Sequence, residues 1–209
     1  MRKDKLGIWF SLFLAVFLLM FMGRIAFADD NPRAVFYQLS TKQLLGLMVA
    51  AESRENSSIE GRNAIASVAL ERNDYYGWGL KKIILHPKWF SSFNPDNQNF
   101  PKVRSIALNF RAALKKQKSL QESYLVADML MKGTLPRHKV IVEYGVMHYA
   151  AIHVKNNWTR KMTVVMVKDG HNFYAANGVT KNILPIENYE MIGFYLKEVA
   201  DRNKLIKLT

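Results

Sequence analysis

The sequence predicts a mostly helical α+β domain with a small antiparallel β element. Apolar residues recur at helical spacing through most of residues 42–132, and this periodicity is typical of amphipathic helices. After Tyr144 the pattern changes to short runs rich in β-branched and aromatic residues, which favour strands. No internal repeat and no Gly/Ser linker divides residues 29–209, so we expect a single domain with its own core.

The boundaries of the elements follow from the apolar pattern and from capping, glycine and proline residues. Ser40 and Thr41 can cap a helix that begins near Lys42. The pair Asp169-Gly170 is typical of a hairpin turn. We expect helices over residues 42–52, 60–72, 80–85, 103–116, 120–132 and 188–204, strands over 147–149, 163–167 and 172–174, a lead-in over 29–38, and loops over 73–79, 89–101 and 136–140.

Residues 1–28 have the composition of an export signal. Basic residues precede an uncharged, apolar stretch over residues 6–23, and Ala26-Phe27-Ala28 follows it. These features predict a secretory signal peptide that is cut after Ala28. An uncleaved anchor is the alternative, because the stretch is close to the length that spans a bilayer. In both cases residues 29–209 are exported, to the periplasm, the cell wall or the medium.

The charge of the chain favours a polyanionic partner. The formal net charge is +13, and residues 1–28 hold four basic residues and one acidic residue, so residues 29–209 carry +10. Anionic wall polymers or a membrane surface would attract such a protein. Export argues against nucleic acid as its main partner. The chain has no cysteine, which excludes disulfides and thiolate metal sites.

A set of short motifs begins at the first long helix. In LLGLMVAAESRENSSIEGRNAIASVALER, an apolar helix ends at Glu52, Glu60-Gly61 follows, and a run of small and branched residues over 64–68 leads to Arg72. This stretch resembles the SleB-type cell-wall hydrolases, in which a glutamate ends an apolar helix and an E-G pair and a similar run follow.

The resemblance continues to residue 174. Residues 87–91, PKWFS, are similar to the P-x-Q-F-S loop of that family, and residues 148–149, 158 and 170–174 are similar to its aromatic tail. The resemblance implies a compact, lysozyme-like domain that cleaves the β-1,4 MurNAc–GlcNAc bond of peptidoglycan. It also implies a catalytic Glu52 and substrate contacts from Phe90, Ser91, Tyr149, Trp158, His171 and Tyr174.

Several positions depart from the family pattern. The glycine expected after the first glutamate is missing, the second glutamate falls early at Glu55, Glu71 replaces the asparagine before Arg72, and Trp89 replaces the glutamine of the loop. A non-catalytic wall-binding protein of the same fold is therefore an alternative. A membrane-active cationic protein is a third, since residues 189–209 are amphipathic.

Glu52 suits an acid/base role on chemical grounds. Cleavage of a glycosidic bond needs a carboxylic acid that stays protonated, and an apolar setting or a helix C-terminus favours the protonated form. Ordinary glycosidases need a second carboxylate, and Glu55, Glu60 and Glu71 are candidates, or else partners of nearby arginines.

The resemblance implies a reaction that needs only one carboxylate. In a lytic transglycosylase the C6 hydroxyl of muramic acid attacks, and a single glutamate serves as acid and then as base. Hydrolysis by water, as in a phage lysozyme, stays open. The sequence has no HExxH motif, and we expect a structural, hydrogen-bonded His171, no metal and no other cofactor.

Overall fold

The computed structural model describes residues 31–176, and these residues form a mostly helical α+β fold. The helices are α1 (Ala34–Gln38), α2 (Thr41–Glu52), α3 (Ile59–Tyr76), α4 (Leu80–Ile84), α5 (Phe100–Leu108), α6 (Phe110–Lys116), α7 (Lys118–Met131) and α8 (Lys139–Glu143). The strands are β1 (His148–Ala151), β2 (Met162–Lys168) and β3 (His171–Ala176), with single turns of 3₁₀ helix at Ser91–Phe93 and Thr159–Lys161. The predicted α+β class is confirmed. Residues 1–28 and the helix predicted over 188–204 lie outside the described residues.

Helix α2 lies at the centre of the helical part. Ser40 caps it as predicted: its Oγ accepts a hydrogen bond from the backbone N–H of Gln43, and Oε1 of Gln43 accepts one from the backbone N–H of Ser40. This reciprocal capping box satisfies two N–H groups that the helix leaves unpaired. Six consecutive residues, Leu44 to Val49, are buried. A helix buried on all sides in this way is a core helix rather than an amphipathic surface helix.

The close approach of α2 and α7 depends on Gly46. A Cβ atom at this position would lie 2.8 Å from the Cα of Tyr124 in α7. Because that neighbour is backbone, it could not move aside without a shift of the helix. Gly46 therefore sets how closely α7 packs on α2.

Helix boundaries differ from the predicted ones at several places, and α5 begins at Phe100, inside the loop predicted over 89–101. Helix α3 continues through residues 73–76 and ends at Gly77, whose φ of +65° is the left-handed conformation of a C-cap. Residues 103–116 form two helices because Asn109 leaves the helical region, with φ −122° and ψ 38°. The lead-in over 29–38 contains α1, and the loop over 136–140 gives way to α8 at residue 139.

The three strands form an antiparallel sheet in the order β1-β3-β2. Asp169 and Gly170 form the predicted turn between β2 and β3, both with positive φ, which suits the twist of a tight hairpin. Tyr149 pairs with Phe173 and His148 pairs with Tyr174. Since side chains alternate along a strand, Tyr149 and Phe173 share one face and His148 and Tyr174 share the other.

The hairpin turn is fastened to the start of α3. Oδ2 of Asp169 accepts hydrogen bonds from the backbone N–H of Ser58 at 2.7 Å and from its Oγ at 2.8 Å. A Cβ atom at Gly61 would fall far inside van der Waals contact with Oδ2 of Asp169. The Glu60-Gly61 pair of the motif therefore needs its glycine to admit this carboxylate.

No helix within residues 31–176 is both long and apolar enough to cross a bilayer.

Gly61→Ala should lower the free energy of unfolding by about 1–3 kcal/mol, since the added methyl group overpacks the site of the Asp169 carboxylate. Helix propensity alone predicts the opposite, a gain of roughly 0.5–1 kcal/mol. Urea unfolding of the purified protein separates these outcomes. Asp169→Gly is the matched background, because it removes the carboxylate and suits the positive φ. There Gly61→Ala should be neutral or stabilising, and equal effects in both backgrounds would contradict the packing argument.

Candidate functional site

Glu52 is the last residue of α2, and three segments distant in sequence meet at its carboxyl group. Oε1 accepts a hydrogen bond from Oγ of Ser92 at 2.7 Å, and Oε2 accepts one from the hydroxyl of Tyr149 at 3.3 Å. Ser92 belongs to the 3₁₀ turn Ser91–Phe93 and Tyr149 belongs to β1. The end of the apolar helix, the PKWFS loop and the sheet thus converge on one carboxyl group.

Opposing effects act on the ionisation of Glu52. The residue keeps some accessible surface, but protein atoms surround its carboxyl group, and this burial raises its pKa. The hydrogen bonds from Ser92 and Tyr149 and the positive charge of Arg72 lower the pKa by smaller amounts. Burial disfavours the charged form, and here it prevails, so Glu52 retains its proton to higher pH than an ordinary glutamate.

Arg72 supplies the positive charge beside Glu52. Its Nε donates a hydrogen bond to the backbone carbonyl of Met147 at 2.6 Å. Its guanidinium carbon lies 4.9 Å from the ring centroid of Phe90 and 5.2 Å from that of Trp89, within the range of cation–π attraction. Arg72 is 4% exposed, and burial lowers its pKa. The closing arginine of the motif is therefore part of the site, a role the sequence did not indicate.

Three of the predicted substrate-binding residues lie next to Glu52 or to one another. The ring of Tyr149 lies 6.5 Å from that of Phe90 and 5.6 Å from that of His171. Burial lowers the pKa of His171, with Arg54 adding to the effect, so the imidazole favours its neutral form. Ser91 is exposed, and its neighbour Ser92 makes the hydrogen bond to Glu52. Ser91 and Ser92 are adjacent in one loop, and nothing in the sequence indicated which of the two hydroxyl groups would contact Glu52.

Trp158 and Tyr174, the other two predicted substrate-binding residues, pack together elsewhere. Their ring centroids are 5.3 Å apart, and His148 lies 5.6 Å from Trp158. Tyr174 pairs with His148 across the sheet, so this cluster occupies the face opposite Tyr149. Strand alternation places Tyr174 on the face away from the Glu52 group, and Trp158, which precedes β2, packs on Tyr174. A motif read in linear order does not contain that information.

The carboxylates proposed as a second catalytic group have other surroundings. Glu60 forms an ion pair with Lys168 and lies 3.4 Å from Nε2 of His138. Glu71 accepts a hydrogen bond from Arg137 at 2.9 Å. Glu55 is exposed in the loop that follows α2. None of these three carboxylates belongs to the hydrogen-bonded group around Glu52, and residues 31–176 contain no cluster of three potential metal ligands.

A buried arginine fixes the turn that follows Glu52. Nη1 of Arg62 donates to Oγ of Ser53 at 2.6 Å and to Oγ of Ser123 at 2.9 Å. Nη2 donates to the backbone carbonyl of Glu55 at 3.1 Å and lies 3.3 Å from a carboxylate oxygen of Glu122. Arg62 has no accessible surface. It therefore joins α3 and α7 to the backbone immediately after Glu52.

A groove of about 930 Å³ begins beside the end of α2 and runs between α5 and the junction of α6 and α7. Its lining includes both small and charged residues, among them Ala51, Ser53, Glu55, Lys102, Lys116 and Lys118. The volume falls in the range of typical ligand sites, and the charged part of the lining combines three lysines with Glu55 and Glu122.

Searches with the chain against models of protein families, against characterised proteins and against solved structures return no match. The resemblance to the SleB-type hydrolases thus depends on the motifs over residues 42–174 alone. The geometry around Glu52 is independent of that resemblance, since it follows from the contacts of the folded chain.

Glu52→Gln should be more stable than the wild type at neutral pH. As pH rises above the ordinary glutamate pKa of about 4.3, the unfolded chain loses this proton before the folded chain does. The wild type therefore loses stability, through this group, from about pH 4 until pH passes the raised pKa of the folded state. Urea unfolding of both proteins should give a difference that grows across this window and disappears near pH 3.5. A wild type that matches or exceeds the variant at pH 7 would contradict the burial argument.

Tyr149→Phe should raise the pKa of Glu52 further, because it removes a hydrogen bond to the ionised carboxylate. Carbon NMR of the glutamate carboxyl groups measures this pKa directly. Ser92→Ala should act in the same direction, and Tyr37→Phe, at an exposed position in α1, is the matched control. An unchanged or lowered pKa in both site variants would show that these hydroxyls do not stabilise the carboxylate.

Proposed function

We propose that the protein is an exported enzyme that cleaves the β-1,4 bond between MurNAc and GlcNAc in peptidoglycan, with Glu52 as its acid/base. The observation that carries the proposal is the setting of Glu52, a carboxyl group with a raised pKa, held by Ser92 and Tyr149 at the end of a buried helix. A general acid for glycoside cleavage needs that protonation state and a fixed orientation. The proposal includes a lysozyme-like arrangement of the domain.

The reaction we propose is that of a lytic transglycosylase. Glu52 donates its proton to the glycosidic oxygen, and the bond from that oxygen to C1 of MurNAc breaks. The C6 hydroxyl of the same MurNAc attacks C1 and gives its proton to the Glu52 carboxylate. The products are a 1,6-anhydro end and a GlcNAc end with a free hydroxyl, and Glu52 is protonated again. The reaction consumes no external water and requires no second carboxylate.

The position of the other carboxylates supports a single-glutamate mechanism. Glu60 and Glu71 are held in ion pairs with Lys168 and Arg137, outside the Glu52 group. Tyr149 and Ser92 would keep the Glu52 carboxyl in place while it changes from acid to base. The net charge of +10 on residues 29–209 would hold the enzyme near anionic wall polymers or the membrane surface, an attraction that salt weakens.

Digestion of purified peptidoglycan, with the products identified by mass spectrometry, tests the function. The wild type should release anhydromuropeptides, and Glu52→Gln should lower the rate by about 10²–10⁴-fold, the usual contribution of a general acid. Glu55→Gln is the matched control, since it removes a nearby but exposed carboxylate and should keep most of the activity.

Other product patterns would redirect or end the proposal. Reducing muramic ends that require Glu52 and Glu55 would indicate a lysozyme-type hydrolase, as in phage lysis. No glycan products from folded wild type on several wall types would end the enzyme proposal and leave a wall-binding protein. Full activity of Glu52→Gln would remove Glu52 from the mechanism.

A further inference from the structure

Four aromatic residues form a partly exposed cluster where α3 passes into α4 and where α4 passes into the PKWFS loop. We name Tyr75, Tyr76, Trp78 and Trp89 the aromatic ledge. Tyr75, Tyr76 and Trp78 are 71%, 38% and 41% exposed. Large aromatic side chains are usually withdrawn from water, and an exposed group of them commonly marks a binding surface.

The rings of the ledge are ordered against one another. Trp78 and Trp89 are stacked, with an angle of 11° between their planes and 5.5 Å between their centroids. Tyr76 lies 4.9 Å from Trp78 and 5.0 Å from Trp89. Gly77 and Gly79, both with positive φ, let the chain turn sharply on either side of Trp78. Because the rings support each other, a ligand would meet a surface that is already formed.

Basic side chains border the ledge. Nζ of Lys82 lies 4.9 Å from the ring centroid of Trp78. A pocket of about 750 Å³ adjoins the same tryptophan, and its lining includes Arg33, Lys81 and Lys82. A ligand on the ledge would therefore meet flat apolar rings and positive charge together.

Side-chain contacts connect the ledge with the Glu52 site. The rings of Trp89 and Phe90 both contact the guanidinium of Arg72. The ring of Phe90 also lies 6.5 Å from that of Tyr149, which binds Glu52. Arg72 is one of the charges that act on the pKa of Glu52. Phe90 and Arg72 are buried, so this connection runs through the protein interior and places Trp89 close to the site.

We propose that the aromatic ledge and the adjoining basic pocket bind a second stretch of an anionic glycan strand, the same strand that Glu52 cleaves under the proposed function. Pyranose rings present flat C–H faces that pack on indole and phenol rings, and their hydroxyls remain in water. The carboxylates of the strand would face Arg33, Lys81 and Lys82. The ledge is a binding surface and takes no part in proton transfer.

A glycan fits this surface better than a lipid bilayer does. Aromatic and basic residues also occur at membrane interfaces, where Trp and Tyr lie at the level of the headgroups. Here the rings stack on each other, and Trp89 contacts Arg72 of the Glu52 site, which places the ledge close to the point where a strand would be cleaved.

The test measures binding of the purified protein to insoluble peptidoglycan sacculi by sedimentation, in the Glu52→Gln background so that the polymer stays intact. Trp78→Ala and Tyr75→Ala should each weaken binding by about tenfold, the value expected for the loss of one buried aromatic contact. Trp78→Phe should retain most of the affinity. Leu108→Ala, at a 57% exposed apolar position on α5, is the matched control and should bind as the parent does.

The contribution of the basic residues, and the alternative of binding to a membrane, are tested in the same way. Lys82→Gln should weaken binding several-fold at low salt, and Lys115→Gln, an exposed lysine on α6, should not. Binding to phosphatidylglycerol vesicles is measured in parallel. Loss of vesicle binding without loss of sacculus binding in the ledge variants would overturn the glycan assignment in favour of a membrane surface.

The outcomes separate this inference from the proposed function. If Trp78→Ala and Tyr75→Ala unfold at the same temperature as the parent and bind sacculi equally well, the ledge is not a binding surface. Cleavage by the wild type would then still support the role of Glu52. Binding that requires the ledge, in a wild type that releases no glycan products, would support the ledge and refute the enzyme. Because Tyr75 is the most exposed of the rings, its variant tests binding even if Trp78→Ala does not fold.

Discussion

The buried guanidinium of Arg62 is the interaction on which the arrangement of the helices depends. A charge with no accessible surface is tolerated only where hydrogen bonds and an opposite charge compensate for lost water. Arg62 obtains these from Ser53, Ser123, the carbonyl of Glu55 and the carboxylate of Glu122. Its partners come from two places in the chain, the turn after α2 and helix α7, so both must be in position against α3 before the charge can be buried. The same turn sets where α2 ends, and hence where Glu52 lies.

The ionisation of Glu52 is a balance that folding imposes. Burial raises its pKa, while Ser92, Tyr149 and the charge of Arg72 draw it back. Without those three groups, burial would raise the pKa of the carboxyl group further. Without burial, the same hydrogen bonds and charge would lower the pKa and favour the ionised form. The site combines both effects, and because burial prevails, the ionised carboxyl group lowers stability at neutral pH, a cost that the glutamine variant would not carry.

The sequence predicted well what local periodicity and capping determine. The capping box at Ser40, the apolar run ending at Glu52 and the Asp169-Gly170 turn all follow from short-range patterns. Contacts over long separations were not accessible in this way. No local pattern marked Arg62 as buried, because its serine partners are 9 to 61 residues away. Ser92 and Arg72 gave no local sign of lying at Glu52. From the sequence, Trp158 and Tyr149 had the same expected role in substrate binding. In the structure Trp158 packs on Tyr174, on the face of the sheet opposite Tyr149.

Helix α3 makes the contacts that hold the sheet in position relative to Glu52. Near its start, Ser58 binds the hairpin turn through Asp169, and Glu60 pairs with Lys168 at the end of β2. Near its end, Arg72 binds the carbonyl of Met147, directly before β1. These contacts hold the sheet at both ends of one rigid element, and α3 is also joined to the turn after Glu52 through Arg62. The distance between Glu52 and Tyr149 is therefore set through α3. Glu60, Gly61 and Arg72 all lie on α3, and their contacts hold the sheet in place beside Glu52.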